Sequence, residues 1–352
     1  MITVPRRAVL LGLVGGAAML ASGPGAQAAG TEMAGPADID LARAKTEGKV
    51  VLYTSLDTQI VDAINAAFTA RYGITVEYFR GGSADVTSKV LAEADASRIQ
   101  ADVVDASDLA ALLVMKDRGL LKPFRSAAFA AIAPELRDPG GTWIADRLTQ
   151  CVLQYNTKEF GAKPPARWTD LAQPAMRGRL AFFSSANGDG APRLYTLAKA
   201  FGWDLLKAFA VNRPLRVQTP QLVTQVLESG ERGAAFLTND NIAWRSKRQG
   251  RPTNYVFPAE GVPTEPGAFG LLQASARPNA AMLFHEWWMG KEGQEILVQS
   301  GKYSSRADVA PPEGAPPLSS LKLLTLDYAE YRRDRTKILE QMTDVFGGEW
   351  GI

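Results

Sequence analysis

Few residues in this chain have the types and spacing that catalysis requires. The only histidine, His285, lies in the segment from Ala280 to Trp288, whose apolar spacing predicts an amphipathic helix with a surface or packed histidine and not a catalytic base. The only cysteine, Cys151, begins the apolar run Cys-Val-Leu, which predicts a buried thiol. The sequence has no Gly-x-Ser-x-Gly elbow, phosphate loop or His/Cys metal cluster. We therefore expect no enzyme activity and no catalytic residue, cofactor or metal.

The residues best suited to bind a ligand are small polar ones at the ends of predicted strands. Thr54 and Ser55, Gly82 and Ser83, and Ser107 each stand where a strand gives way to a helix. Helix N-termini offer free backbone N–H groups and a partial positive charge, so several meeting in one cleft would suit an anion. The alternative is that Ser83 and Ser107 only cap their helices.

The elements that position these residues alternate between strand and helix. The first half of the chain predicts strands at 49–53, 74–79 and 102–105, with helices at 60–72, from 83 and from 107. The second half predicts strands at 152–155, 179–183 and 233–237, a helical turn at 168–171 and Pro192 in the first turn of a helix. This β-α-β-α order indicates an α/β fold with an open parallel sheet, which binds ligands beyond the carboxyl ends of its strands.

The first residues of the chain predict export. Arg6 and Arg7 precede an apolar run from Ala8 to Ala21 and a small-x-small pattern at Ala26-Gln-Ala28, so residues 1–28 are interpreted as a signal peptide. The two arginines leave the twin-arginine and general pathways open. No cysteine lies near the cleavage pattern, which predicts a periplasmic protein without a lipid anchor.

Charge and length narrow the class of protein further. The chain has 39 Lys and Arg against 37 Asp and Glu, and removing Arg6 and Arg7 with the signal leaves 37 of each. A neutral mature chain argues against a general nucleic-acid or membrane-surface binder. The remaining length of about 320 residues predicts two domains.

A set of ordered segments resembles one known family. The segments are Val50 to Ser55, Arg80 to Ser83, Ala101 to Asp105, Gly119 to Phe124, Tyr155 to Thr157, Trp168 to Leu171, Arg177 to Leu180, Asn239 to Asn241, Tyr255 to Gly261, Pro278 to Ala281 and Lys291 to Gln294. In this order they resemble the extracellular solute-binding proteins of ABC importers, which include ferric-iron, thiamine, polyamine and phosphonate binders. The resemblance extends from about Lys49 to Phe346.

The resemblance implies a two-lobed periplasmic-binding-protein fold of type II, with two hinge crossovers and the ligand in the interlobe cleft. Lobe 1 would comprise residues 47–149 and 268–315, and lobe 2 residues 150–267 and 316–352. The expected partners are a small-molecule ligand and the permease subunits of an importer in the inner membrane, and we expect a monomer. A sensing adaptor for a membrane receptor would have the same fold.

The ligand remains the open question at this level. The candidate binding residues are Thr54, Ser55, Arg80, Gly82, Ser83, Ser107, Asn187, Gly188, Asp240, Asn241 and Glu260. With Arg193 they favour an organic anion or zwitterion such as a phosphonate, phosphate ester or carboxylate. Asp57, Asp240 and Glu260 could instead meet an amine. The tryptophans Trp143, Trp168 and Trp244 could wall the site, but packing is the favoured interpretation.

The resemblance also bears on ferric iron as the ligand. Iron-binding members of the family carry two adjacent tyrosines after an Asn-rich strand end, and here those positions are Asn241 and Ile242. Neither side chain can supply a phenolate. We therefore expect an organic ligand rather than ferric ion.

Overall fold

The computed structural model describes residues 33–184 and 190–348. The strands are β1 (Lys49–Thr54), β2 (Thr75–Arg80), β3 (Val103–Ala106), β4 (Leu121–Lys122), β5 (Ile144–Asn156), β6 (Leu180–Phe183), β7 (Leu215–Val217), β8 (Ala234–Asn239), β9 (Thr253–Val256), β10 (Val262–Leu272), β11 (Tyr303–Ser304) and β12 (Leu323–Leu324). The predicted signal peptide and the candidates Asn187 and Gly188 lie outside the described residues.

The α-helices confirm the predicted alternation. They are α1 (Leu41–Glu47), α2 (Thr58–Tyr72), α3 (Ser83–Asp95), α4 (Leu109–Asp117), α5 (Thr157–Phe160), α6 (Trp168–Leu171), α7 (Ala191–Phe201), α8 (Trp203–Val211), α9 (Pro220–Glu228), α10 (Asp240–Arg248), α11 (Pro278–Met289), α12 (Lys291–Gln299) and α13 (Tyr328–Phe346). In the part of the chain described, no helix is long and apolar enough to cross a membrane.

One continuous sheet carries the whole architecture, in the strand order β2-β1-β3-β10-β5-β8-β6-β7. The outer strands on each side pair in parallel, as the alternating elements predicted. The central strands β10 and β5 are antiparallel to each other and to their outer neighbours. These two strands are long enough to pass from one side of the sheet to the other, so they are the crossovers between its halves.

Each half of the sheet has its own hydrophobic core. In the first half, α2, α11 and α12 cover one face of β1, and α3 and α4 cover the other, around side chains such as Phe68 and Leu112. In the second half, α6, α7, α8 and α13 cover one face of β6 and β8, and α9 covers the other. The C-terminal helix α13 connects the two cores, because Tyr328 at its start is buried in the core of the first half.

Candidate functional site

A cavity of about 140 Å³ lies between the two halves of the sheet. Among the described residues it is lined by Ser55, Leu56, Asp57, Arg80, Gly82, Ser83, Ser107 and Asp108 from the first half and Phe183, Gly190, Pro192, Arg193, Pro220, Gln221 and Asn239 from the second, with Glu265 and Lys302 from the segments between. It stands at the carboxyl ends of the parallel strands, where open α/β sheets bind their ligands.

Six helices begin at the wall of this cavity. The lining residues include the first or preceding residues of α2, α3, α4, α7, α9 and α10. Each of these helices directs the positive end of its dipole toward the same space. Their combined field favours a negatively charged group in the cavity.

Two serine hydroxyls on the first half form a hydrogen-bonded pair. The Oγ atoms of Ser55 and Ser107 are 2.9 Å apart, and the Ser107 N–H donates to Ser55 Oγ at 2.7 Å. Arg147 Nη2 donates to Ser107 Oγ at 3.0 Å. Because these contacts occupy acceptor positions on both oxygens, the pair has a hydroxyl proton left to donate to a ligand.

Ser83 and Ser107 do not cap their helices, so the structure does not support that alternative. Helix α4 is capped by Asp108, whose carboxylate accepts from the Ala110 N–H at 2.9 Å. At the start of α3 the Gly82 N–H is satisfied by Asp85 at 2.9 Å. The Ser83 hydroxyl instead accepts from the Asp108 N–H at 3.2 Å, which ties the beginnings of α3 and α4 together.

A fully buried ion cluster supports the serine pair from behind. Arg147 Nη1 donates to Asp105 at 2.5 Å and to both oxygens of Asp146 at 2.8 Å. The two carboxylates raise the pKa of the guanidinium above its usual range against the opposing effect of burial. Burial raises the pKa of Asp146 to about 7. Gly267 permits this packing, because a Cβ there would lie 2.5 Å from Arg147 Cζ.

Thr54 belongs to this cluster and not to the cavity wall. Its hydroxyl donates to Asp105 Oδ2 at 2.5 Å and its side chain is buried. The same hydroxyl accepts from the Leu56 N–H at 3.0 Å, which shapes the turn into α2. Thr54 therefore positions Asp105 and does not line the cavity, in contrast to the prediction from the sequence.

On the opposite wall, Arg193 is held by groups of the second half and of β10. Its Nη1 donates to the Asn239 side chain at 2.6 Å and to the Leu237 carbonyl at 3.1 Å. Its Nη2 pairs with Glu265, and its guanidinium carbon lies 5.6 Å from the Phe183 ring centre. The arginine is therefore fixed in place before any ligand enters.

Lys302 reaches the cavity from the segment between α12 and β11. Its side chain is buried, and its ammonium donates one hydrogen bond, to Thr149 Oγ1 at 3.4 Å. Burial lowers the pKa of this lysine, and the negative charges of Asp57 and Asp240 oppose that effect. Lys302 was not among the predicted site residues, since it follows a helix and precedes a two-residue strand that has no recognisable pattern.

Asp57 connects the two halves of the sheet at the cavity. It stands before α2, and its carboxylate accepts from Gln221 of α9 at 3.0 Å and from Asn241 of α10 at 3.3 Å. Arg245 of α10 completes the contacts at 3.2 Å. Despite its burial, Asp57 has a lowered pKa because Lys302, Arg245 and Arg80 stabilise its charge.

The remaining predicted site residues have different positions. Ser55, Arg80, Gly82, Ser83 and Ser107 all line the cavity as expected, with Arg80 exposed and its Nε donating to the Leu56 carbonyl at 3.3 Å. Asp240 and Asn241 are buried next to the lining residues and are not among them. Glu260 lies elsewhere: it accepts from the Trp168 N–H at 2.8 Å and from Arg167 at 3.2 Å.

Residues considered for catalysis or for walling the site have packing roles. His285 is buried against Phe269 at 4.7 Å between ring centres, and burial lowers its pKa to about 3. Cys151 is a buried free thiol whose pKa burial raises. Trp143 and Trp168 belong to the cores, and Trp244 donates to the Glu313 carbonyl at 2.9 Å. Within the described ranges, no three His, Cys, Asp or Glu side chains are grouped to hold a metal.

Comparison with known proteins agrees with this geometry. Residues 100–332 match the family described as bacterial extracellular solute-binding protein, and the chain belongs to that family. It is 25% identical over 316 residues to the Fe(3+)-binding periplasmic protein of Serratia marcescens, covering 86% of this chain and 91% of that one.

Solved structures show the same fold. The periplasmic binding protein AfuA from Actinobacillus pleuropneumoniae, with exogenous fructose-6-phosphate bound, superposes with a TM-score of 0.74 at 24% identity, over 85% of this chain and 98% of that one. Iron-bound HitA from Pseudomonas aeruginosa superposes with a TM-score of 0.72 at 23% identity, over 84% of this chain and 99% of that one. The predicted two-lobed fold of type II is thus confirmed, whereas the lobe boundaries at 149/150 and 267/268 stay a prediction.

Proposed function

We propose that this protein is the periplasmic substrate-binding component of an ABC importer and that it binds a small organic anion, such as a phosphate ester, phosphonate or carboxylate. The observation that carries the proposal is the meeting of six helix N-termini at one cavity that also contains Arg80 and Lys302. Export to the periplasm is supported by the signal pattern around Arg6 and Arg7 and by the periplasmic relatives.

An amine ligand fits the cavity less well, because its acidic groups already have partners. Asp57 accepts from three groups of α9 and α10, and Glu265 pairs with Arg193. Asp108 caps α4. An amine would have to displace these internal contacts, whereas an anion can use the helix N-termini as they stand.

Ferric ion is the second candidate, since the Serratia marcescens relative is named as a ferric-ion binder. The chemistry of the lining residues does not favour it. No tyrosine, histidine or cysteine is among the lining residues in the part of the chain described. Asn241 donates to Asp57, Ile242 is buried, and Tyr303 is committed to the Pro316 carbonyl at 2.8 Å.

A thermal-shift screen of the mature protein tests the proposal. Phosphate esters, phosphonates, carboxylates, amines and ferric salts are compared, since a ligand that binds only the folded state raises Tm by mass action. We expect a shift with at least one anion and none with amines. Arg80→Ala should weaken that anion by about tenfold, the loss of roughly one charge-assisted hydrogen bond. A shift with ferric salts alone would overturn the proposal.

A further inference from the structure

The charges around the cavity differ in how they are neutralised. In the described part of the chain, three cationic side chains are buried: Arg147, Arg193 and Lys302. Arg147 pairs with Asp105 and Asp146, and Arg193 pairs with Glu265. Among the described residues, no carboxylate lies within 4.0 Å of the Lys302 ammonium. Lys302 is thus the buried cation that the described residues leave without an ion pair.

A buried ammonium without a counter-ion is unfavourable in a folded protein. In this protein, nearby charges reduce the free-energy cost of burying the Lys302 ammonium but do not remove it. Asp57, which precedes α2, and Asp240 on α10 attract the charge of Lys302, while Arg147 on β5 and Arg193 on α7 repel it. The one neutral contact is the 3.4 Å hydrogen bond to Thr149 Oγ1, which leaves donor positions unused. Since Lys302 lines the cavity, a ligand can occupy them.

We propose that Lys302 is the charge-selecting residue of this cavity, and that the ligand presents an oxyanion to its ammonium as the missing counter-ion. The inference rests on the proposed anion-binding function and specifies which residue decides it. Arg80, which is exposed and held by the Leu56 carbonyl, then contributes less to affinity, because solvent screens its charge. Ligands without an oxyanion would leave the buried charge unpaired and are rejected.

The proposal has a consequence for protonation. Burial lowers the pKa of Lys302 in the unliganded protein, and a bound oxyanion favours the ammonium, so binding raises that pKa again. Affinity is therefore highest below the unliganded pKa and falls as pH rises through it. Over the same range, binding takes up protons. No such dependence is expected from an arginine, which stays protonated.

The test compares Lys302→Met, Lys302→Arg and the control Lys291→Met in the full mature protein. Lys291 is exposed, and its ammonium lies 3.8 Å from Asp308. Calorimetric titration uses fructose 6-phosphate from about pH 7.5 to 10, where its phosphate, with a second pKa of about 6, no longer titrates. Inorganic phosphate is the compact second probe.

We expect Lys302→Met to lose affinity by about 30-fold or more, the effect of removing one partner of a buried charge pair. Its unliganded Tm should match or exceed that of the unaltered protein, because the mutation removes an unpaired buried charge. If Lys302 had only a structural role, replacing it with methionine would lower Tm. Lys302→Arg should retain affinity with a flat pH profile, and Lys291→Met should change neither quantity.

Three results would overturn the inference. If neither probe binds the unaltered protein, Lys302 does not accept phosphoryl oxyanions. If a probe binds Lys302→Met as tightly as the unaltered protein, the anion is held by Arg80 and the helix N-termini alone, and the proposed function survives without the role of Lys302. Binding of ferric salts and of no anion would overturn both the proposed function and the role of Lys302.

Discussion

At the scale of single residues, the molecule concentrates buried charge near its crossover strands. Asp105, Asp146 and Arg147 satisfy one another, whereas Asp240 is buried without a hydrogen bond from any side chain in residues 33–184 or 190–348. Burial raises the pKa of Asp240 to about 7, although Lys302 and neighbouring backbone N–H groups act in the opposite direction. Asp240 is therefore a buried residue behind the cavity wall that contributes to the electrostatic field in the cavity.

Asp240 gives a stability prediction whose sign follows from its raised pKa. Its protonated form stabilises the fold fully below about pH 3.8, and this contribution is lost as pH rises through about 7. Asp240→Asn should make the free energy of unfolding less dependent on pH over that range. The pH dependence that comes from the raised pKa of Asp146 should remain. At pH 8 the variant should be more stable by up to about 4 kcal/mol.

Urea denaturation at several pH values measures this effect, with Asp204→Asn as the control because the Asp204 side chain is 94% exposed. The control should follow the unaltered protein at every pH. If Asp240→Asn has the same pH slope as the control, Asp240 does not titrate with a raised pKa, and its carboxylate must be ionised and solvated in the folded protein.

The residue scale is also where the sequence predicted least. Strand β5 is buried along its whole length, yet Asp146, Arg147, Thr149 and Gln150 interrupt the apolar pattern that a buried strand normally shows. Only its second part, Val152 to Tyr155, was recognisable. Arg147 was therefore missed, and so were Glu265 in β10 and Lys302, because their roles depend on contacts between segments distant in the sequence.

At the scale of elements, the polar strand ends were predictable because parallel strands bring their carboxyl ends to one edge. Ser55, Gly82, Ser83 and Ser107 stand at that edge as expected. Glu260 does not, because it begins no helix and instead accepts from the start of α6. What the pattern could not show is how α2, α9 and α10 meet at Asp57 across the cavity.

Removing the Asp57 carboxylate should weaken the contact between the two halves of the sheet. Asp57→Ala removes contacts to Gln221, Asn241 and Arg245, and it removes no helix cap, since this side chain does not cap α2. We expect a larger radius of gyration without ligand and about tenfold weaker binding of whichever anion the screen identifies.

Small-angle X-ray scattering measures the radius of gyration, and Asp62→Ala on the same helix is the control. Asp62 is exposed and accepts from Tyr78 within the first half of the sheet. Its loss should leave both the radius of gyration and ligand affinity unchanged. Equal radii for Asp57→Ala and the unaltered protein would show that these contacts do not hold the halves together.

At the scale of the whole molecule, two hydrophobic cores are joined by β5, β10 and the start of α13, with a cavity between the two halves of the sheet. The alternation of elements predicted the α/β class and the parallel pairing of the outer strands. It could not predict that the central strands are antiparallel, because their partners lie far away in sequence. The family resemblance implied two lobes joined by two crossovers, and the fold of the solved relatives confirms that architecture.

The central claim is that the charge of an anion decides binding in this cavity. Isothermal titration of the mature protein with fructose 6-phosphate and with fructose isolates that charge in a matched pair of probes. We expect saturable binding of at least one anion of the screen, and no measurable heat of binding for uncharged fructose or for spermidine. Binding of spermidine or of ferric ion, with no response to fructose 6-phosphate or any other anion of the screen, would contradict the account.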